Sequence, residues 1–530
     1  MAVSILSLIL AAGFLASTVW AEEQSAETDA GPTFEIRQFV VEGNTLYPGE
    51  LLDELLMEFT GPEKTADVVE DARTKLEKFY QENGFLRVMV NIPEQMVEGG
   101  EIRLKVIESR IGQVLVNENR YFTKAGIMEE LPALQPGKII YIPDVEEQLN
   151  ALNANPDLTV RLKLEPARDM GVDDVVLTVE DRMPLHASVE INNRSTHDTS
   201  ELRLNGLIRY DNLWQRKHSA SFQYQTAPLE PSEVQVLGGS YVLPTPWQKK
   251  HYLAGYALWT DSETAFGEGF NVIGKGFILG ARYLVPLDPY KKYYHSISFG
   301  VDYKDFEETL GFVGEDEEDT ETPISYLPFS IGYNGTLLGK TGNTRLQAAL
   351  NWHFRGLVGS EEEFSGKRYQ ARGDYFYLNV GLEREQQLPW DMDLALAVKG
   401  QVASEPLVSS EQFSAGGMES VRGYKESDSL GDNGVRASIE WLLPDVGKLA
   451  GWENWMELRP YLFYDYARLW VKDPLPDQTD EFELQGTGLG LRGELWKMFD
   501  YELDLAMALS ATARADSGDI RGHFRLKYYF

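Results

Sequence analysis

The sequence predicts a transmembrane β-barrel of sixteen antiparallel strands over residues 185–530, preceded by two small α+β modules. Strict apolar–polar alternation begins just after Pro184. The connectors between alternating segments sort by parity into two chemical kinds. Beyond the amino terminus, no stretch approaches the roughly 18 apolar residues of a membrane helix, and a chain without such helices can still span a membrane as a β-barrel.

The alternation is regular. LHASVEINN sets Leu185, Ala187, Val189 and Ile191 against His186, Ser188, Glu190 and Asn192. MDLALAVK sets Met392, Leu394, Leu396 and Val398 against Asp393, Ala395, Ala397 and Lys399. In YELDLAMALS, Tyr501, Leu503, Leu505, Met507 and Leu509 oppose Glu502, Asp504 and Ser510. One face therefore meets an apolar medium and the other a polar one.

A soluble sandwich would alternate too, and the connectors decide. One kind is short, aromatic and basic: LWQRK (213–217), PWQKK (246–250), DPYKKYY (288–294) and LPWD (388–391). The other is longer and acidic: TDSETAFGEGF (260–270), FVGEDEEDTETP (312–323) and VGSEEEFSGKR (358–368). Short periplasmic turns, long external loops and aromatic girdles give a membrane barrel this asymmetry. Sixteen strands over residues 185–530 leave about 22 residues per strand and connector. The last run, HFRLKYYF, sets Phe524, Leu526, Tyr528 and Phe530 on one side.

Ahead of the barrel, residues 3–15 form an apolar run before Val19-Trp20-Ala21, the pattern of an export signal (1–21) cleaved before Glu22, although no Lys or Arg precedes the run. A polar linker, 22–32, follows. Residues 33–108 read as strand, helix, strand, strand. FEIRQFVVEG ends at Gly43-Asn44, and residues 66–82 carry Val68, Val69, Ala72, Leu76, Phe79 and Tyr80 at helical spacing up to Asn83-Gly84. FLRVMVNI and EIRLKVIES complete this first module. Residues 109–182 repeat the order with IGQVLVNEN, a helix near Val145–Leu152, TVRLKLEP and DDVVLTVED. One α/β domain of about 150 residues is the competing reading.

Composition narrows the function. The chain has no cysteine, which excludes disulfides and thiolate metal sites, and its net charge of −34 argues against nucleic-acid binding. Gly488-x-Gly490-x-x-Gly493 fits a dinucleotide fingerprint formally, but lies within an alternating strand with no following helix. The seven histidines show no zinc spacing, and EDEED (315–319) reads as a solvated loop ahead of a calcium site. No catalytic residue, cofactor or metal is expected.

The modules and barrel together resemble the two-partner secretion transporters, the ShlB/FhaC/HecB family (TpsB type) of the BamA-like superfamily. The first module carries the resemblance at VEGNTLYP (41–48), LEKFYQENGF (76–85) and IPEQMVEGGEIRLKVIE (92–108), matching the family's POTRA pattern. The barrel carries it loosely at residues 191–213 and most specifically at Val421-Arg422-Gly423-Tyr424, within the glycine-rich loop 414–434. The resemblance implies that this loop joins the eleventh and twelfth strands and folds into the lumen. It also implies that Arg422 meets an F-x-D-x-G segment on the inner wall of the thirteenth strand, here Phe463 to Ala467 with Asp465. Alternation sets Phe463, Asp465 and Ala467 on one face, and an aspartate cannot face lipid cheaply. Gly423 would permit a tight tip, and Tyr424 would pack against the wall. The sequence departs from the pattern at Ala467, where the family has glycine. NNRS stands for the usual Asp-Asn-x-Gly at the first strand, and the linker is too short for the helix that plugs some members.

The resemblance implies an outer-membrane pore with POTRA domains in the periplasm. It would capture an unfolded, β-helix-forming exoprotein of adhesin or haemolysin type and secrete it through the barrel. Expected partners are that client, outer-membrane lipid, and the barrel assembly machinery acting on the strand ending at Phe530. A factor that inserts other barrels, and a passive porin, are the alternatives the sequence leaves open.

Overall fold

Helix Ala66–Glu82 places Val69, Ala72, Leu76 and Tyr80 on one buried stripe, the spacing that turns an apolar pattern into a face. Asn83 closes it by donating its side-chain amide to the Phe79 carbonyl at 2.8 Å, and Gly84 follows at φ +91°. The computed structural model describes residues 32–530 apart from 198, 249, 263, 268–269, 274, 308, 311–319 and 477. The expected signal, all but the end of the linker, and the acidic run 315–319 lie outside the described residues.

In the amino-terminal unit this helix and a second one, Gly49–Leu56, cover a three-stranded sheet. The sheet runs Gln38–Glu42, Glu101–Glu108, Val88–Asn91, parallel then antiparallel. Leu52, Leu56, Leu76 and Tyr80 are packed there against Phe39, Ile102, Leu104 and Val106. A second sheet repeats the order: Arg110–Asn117 beside Val172–Asp181 beside Leu158–Pro166, under helices Lys124–Glu129 and Ile142–Asn153. It has its own core, including Ile127, Val145, Leu152, Val160 and Leu177. Helices Gly49–Leu56 and Lys124–Glu129 have no counterpart in the sequence reading, because runs of 8 and 6 residues are too short for a periodic apolar pattern to stand out.

Arg87 ties the two sheets together by donating Nε and Nη2 to the two Asp173 carboxylate oxygens at 3.0 and 2.6 Å. Burial pushes the Asp173 carboxyl up, but the hydrogen bonds and charge of Arg87, with help from Ser109, outweigh it and hold the group below its usual range. A depressed folded-state value contributes stability that is complete above the unfolded value, near 3.9, and is lost as pH falls through the folded one. Asp173→Asn should therefore reduce hydrogen-exchange protection of Val172–Asp181 at pH 7, with the difference shrinking below about pH 4. Equal protection at neutral pH would show that the pair contributes nothing.

The carboxy-terminal unit is a closed barrel. Its first strands are β1 (Leu185–Asn192), β2 (Arg203–Leu213), β3 (His218–Thr226), β4 (Gln235–Pro244) and β5 (Tyr252–Thr260). Then come β6 (Lys275–Pro286), β7 (Tyr293–Glu307), β8 (Phe329–Leu338), β9 (Gly342–His353) and β10 (Tyr375–Leu388). The circuit ends with β11 (Met392–Ala403), β12 (Asn433–Leu442), β13 (Arg459–Trp470), β14 (Glu481–Leu495), β15 (Phe499–Ala508) and β16 (Ile520–Tyr529). Residues Ile324–Tyr326 extend β8 along β7, and β16 closes onto β1 from Arg525–Asn192 to Tyr529–Ser188. All neighbouring strands are antiparallel.

The two faces differ as the alternation requires. On β13, Leu462 and Tyr464 point outward at 47% and 40% exposure, while Phe463 and Asp465 point inward at 4% and 0%. Short turns gather at one rim, and several hold residues in the left-handed region: Trp390 and Asp391 between β10 and β11, and Trp496 and Lys497 between β14 and β15. Glycine or asparagine would be cheaper at such positions. Tryptophan there presents its ring outward at the membrane boundary, where its amphipathic character is favoured. One connector on this rim is long, 443–458, with a short helix Val446–Leu449.

Two readings are corrected at the opposite rim. The loop between β11 and β12 begins at residue 404, not 414, and residues 433 and 434 already belong to β12. Residues 404–413 lack the glycines that marked the rest. VGSEEEFSGKR is also more than a charged loop, since Glu361–Lys367 is helical. Ser360 and Glu363 form a reciprocal capping box, a sequence signal available in S-x-x-E.

Candidate functional site

The loop 404–432 leaves β11 at the outer rim and turns back inside the barrel, so that Arg422 lies at 3% exposure beside the middle of β13. Asp465 receives it twice, from Nε at 2.7 Å and Nη2 at 2.8 Å. The backbone N–H of Arg422 adds a third bond to the same carboxylate at 3.1 Å. Ser438 on β12 donates to Asp465 at 2.6 Å, and Glu440 on β12 accepts Arg422 Nη1 at 2.8 Å. The guanidinium carbon sits 3.5 Å from the centre of the Phe463 ring. Planarity, charge and five fixed donors let one arginine engage two carboxylates and an aromatic face together. Arg492 takes the other Glu440 oxygen at 3.0 Å, so arginines occupy this acidic cluster as a bound cation would.

Val421, Gly423 and Tyr424 each have a separate contact. Val421 is fully buried with Ala467, Leu469, Leu484 and Ala508. Gly423 has φ +102°, and a Cβ there would fall 2.9 Å from the Ala508 nitrogen, so both conformation and space demand glycine. Its N–H donates to His523 Nε2 on β16 at 3.1 Å, which makes that nitrogen an acceptor. The Tyr424 hydroxyl lies 2.6 Å from the Ser510 carbonyl and 3.0 Å from the Gln485 carbonyl.

The glycine run that mimics a dinucleotide motif has its explanation here. Gly486, Gly488 and Gly490 on β14 stand opposite Asp465, Phe463 and Tyr461. A Cβ on Gly486 would lie 2.0 Å from the Arg422 carbonyl oxygen, and one on Gly488 2.7 Å from the Phe463 ring. These glycines form a hollow in the wall for the loop tip. Alternating glycines opposite F-x-D were the legible signal, and register was needed to see it.

Sequence reasoning missed the other anchors of this loop. Glu411, 4% exposed, accepts hydrogen bonds from Tyr326 and Tyr377, each at 2.6 Å, and pairs with Lys304 on β7. Asp432, fully buried, is gripped by Arg368 at 2.7 and 2.6 Å and by the Leu407 and Lys472 amides, each at 2.7 Å. Arg194, just beyond β1, holds Glu426 at 3.0 Å and Glu419 at 2.8 Å. An apolar cluster that includes Tyr326, Phe364, Tyr375, Tyr377, Leu407 and Val408 fills the lumen near the outer rim. The loop thus spans the lumen, tied to the wall on both sides, mainly through charged and polar groups.

Two family models match the chain. The ShlB-type POTRA domain covers residues 34–109, and the haemolysin secretion/activation protein ShlB/FhaC/HecB covers residues 323–493, which include the loop and β13. The outer membrane transporter CdiB of Dickeya dadantii is 20% identical over 79% of this chain and 75% of its own length. The heme/hemopexin transporter protein HuxB of Haemophilus influenzae is 20% identical over 78% and 72%. The solved structure of CdiB from Escherichia coli superposes with a TM-score of 0.63 at 18% identity, covering 96% of this chain and 93% of that one. The barrel's closure, the match of the first module and the match across the loop and its wall agree: along these segments the chain is similar to the ShlB/FhaC/HecB-type transporters of two-partner secretion.

Proposed function

We propose that this transporter takes one or a few unfolded exoproteins of adhesin or haemolysin type from the periplasm and passes them through its barrel, using no nucleotide and no cofactor. The observation that carries the reading is the lumen itself. It is occupied by a segment of the same chain held by buried ion pairs and hydrogen bonds, polar contacts that a passing client would have to displace or replace. In this reading Val421, Arg422, Gly423 and Tyr424, with Phe463 and Asp465, fix the loop in the transport-competent barrel.

Residues 33–108 and 109–182 are assigned as the two POTRA domains that receive the client. A strand-forming client would add to an open sheet edge. In the first sheet, side chains cover the edge at Val90: Glu77 accepts its N–H at 3.1 Å and Arg73 approaches its carbonyl at 3.4 Å. In the second, Asn153 bonds both groups of Val160, at 2.7 and 3.0 Å. Strand alternation then aims the backbone groups of Leu162 and Leu164 away from the sheet, where an incoming strand would pair. Folding outside the cell supplies the pull.

The outward apolar belt is assigned to outer-membrane lipid. The terminal aromatics, with Tyr528 and Phe530 ring centres 4.4 Å apart, are assigned to recognition by the barrel assembly machinery. The test compares surface and secreted proteins of cells with and without this gene. Loss of one large exoprotein, with other barrels intact, is the expected result. A broad fall in many outer-membrane barrels would overturn the reading in favour of an insertion factor.

A further inference from the structure

Three short turns share a composition that polypeptide export leaves unused. Trp214-Gln215-Arg216-Lys217-His218 and Trp247-Gln248-Lys249-Lys250-His251 repeat one pattern, and Tyr290-Lys291-Lys292 followed by His295 gives a third version. They join β2 to β3, β4 to β5 and β6 to β7, so they are consecutive short turns on one rim. Arg216, Lys217, Lys250, Lys291 and Lys292 are exposed there, in a chain of net charge −34.

The histidines and tyrosines show which way these turns face. His218 Nδ1 lies 2.6 Å from the Tyr241 hydroxyl, His251 Nδ1 2.6 Å from that of Tyr283, and His295 Nδ1 3.2 Å from that of Tyr333. The Trp214 and Trp247 indole N–H groups donate to the Tyr241 and Tyr283 hydroxyls at 3.2 and 3.4 Å. His218 shares strand parity with Phe222, and His295 with Phe299, which are 52% and 46% exposed on the outer face. The same unit of ring, imidazole and hydroxyl thus recurs on the outside of the barrel, with cations just beyond it.

Exposed carboxylates are fewer than cations on this arc. Asp211 shares strand parity with the lumenal face of β2 and receives Ser219 and Arg209, at 2.5 and 3.1 Å, leaving Asp288 as the exposed acid of the third turn. The opposite arc of the rim has fewer exposed cations, Lys497 beside Trp496 and Lys448. Its β10–β11 turn carries Trp390 with Asp391, and Lys448 is already paired with Asp391 at 3.4 Å.

We propose that the arc from β2 to β7 binds anionic phospholipid headgroups of the periplasm-facing leaflet. The aromatic rings set the depth of the headgroup boundary, and the cations beyond them meet lipid phosphate, favouring anionic over zwitterionic lipid. The full-length protein in detergent would be incubated with phosphatidylglycerol or phosphatidylethanolamine, and retained lipids counted by native mass spectrometry. Wild type is expected to retain the anionic lipid preferentially. In the R216Q/K217Q/K250Q/K291Q/K292Q variant that preference should disappear, since each cation contributes roughly fivefold near an anionic surface. The K448Q/K497Q variant, on the opposite arc, should keep it. Trp214→Ala with Trp247→Ala should lower retention of both lipids and leave the preference in place. Equal retention by wild type, an unchanged preference in the five-charge variant, or its loss in the opposite-arc control would each overturn the proposal.

Discussion

Arg422→Ala is expected to reach the outer membrane as a folded barrel and to export its client at a small fraction of the native rate. The strands close through backbone ladders that the substitution does not touch. The loop, however, loses both guanidinium bonds to Asp465 and the bond to Glu440, in a place where Asp465 has no exposure to water. Removing one partner of a buried pair costs about 3–5 kcal/mol, because the remaining charge is left uncompensated. That is more than a hundredfold shift in the population of the anchored loop. Arg422→Lys should recover little, since an ammonium lacks the planar fork that engages Asp465 twice and leaves a third donor for Glu440. Heat-modified gel mobility reports barrel folding, and culture supernatants report export. Normal export by Arg422→Ala would remove the clamp from the mechanism.

Glu411→Ala should act at the other end of the loop and in another observable. The carboxylate engages Tyr326, Tyr377 and Lys304 at once, so its loss strands the Tyr377 hydroxyl and the Lys304 ammonium inside the lumen near the outer rim and leaves Tyr326 to Ser410, 2.7 Å away. Unsatisfied buried donors cost about 1–3 kcal/mol each, more when charged. The loop segment through Val408 should then detach from the wall while the Arg422 anchor stays in place. In planar bilayers this variant is expected to show larger and more frequent openings than wild type, with folding unchanged. Glu411→Gln should lie between them, because the amide still accepts from one tyrosine but no longer offsets Lys304. Conductance identical to wild type would mean that the outer-rim contacts do not restrict the pore.

Much of this protein was legible in its residues because the relevant physics is local. A strand with one face in lipid must alternate, and a turn at the headgroup boundary differs in length and charge from a loop in water. Leu185–Asn192 and Met392–Ala403 show these constraints without any partner strand. Helix Ala66–Glu82 was readable to its ends for the same reason: seventeen residues repeat an apolar stripe and stop at Asn83-Gly84. Arg422 and Asp465 came from a motif and a parity rule acting together.

The anchors at Glu411, Asp432 and Arg194 were not legible. Each is one charged residue in a polar stretch, indistinguishable by composition from a solvated loop until closure of the barrel brings Tyr326, Arg368 or Glu426 against it. The same holds for Gly488, whose sequence context fits a nucleotide motif as well as a strand, and whose role depends on lying opposite Phe463, where a Cβ would fall 2.7 Å from the ring. The sequence by itself determined the faces, the turns and the number of strands, since each follows from how neighbouring residues partition between lipid and water. Only the tertiary structure decided which charges inside the lumen meet, because pairing in a low-dielectric interior depends on register and closure across the barrel, and residues far apart in the chain carry no mark of it.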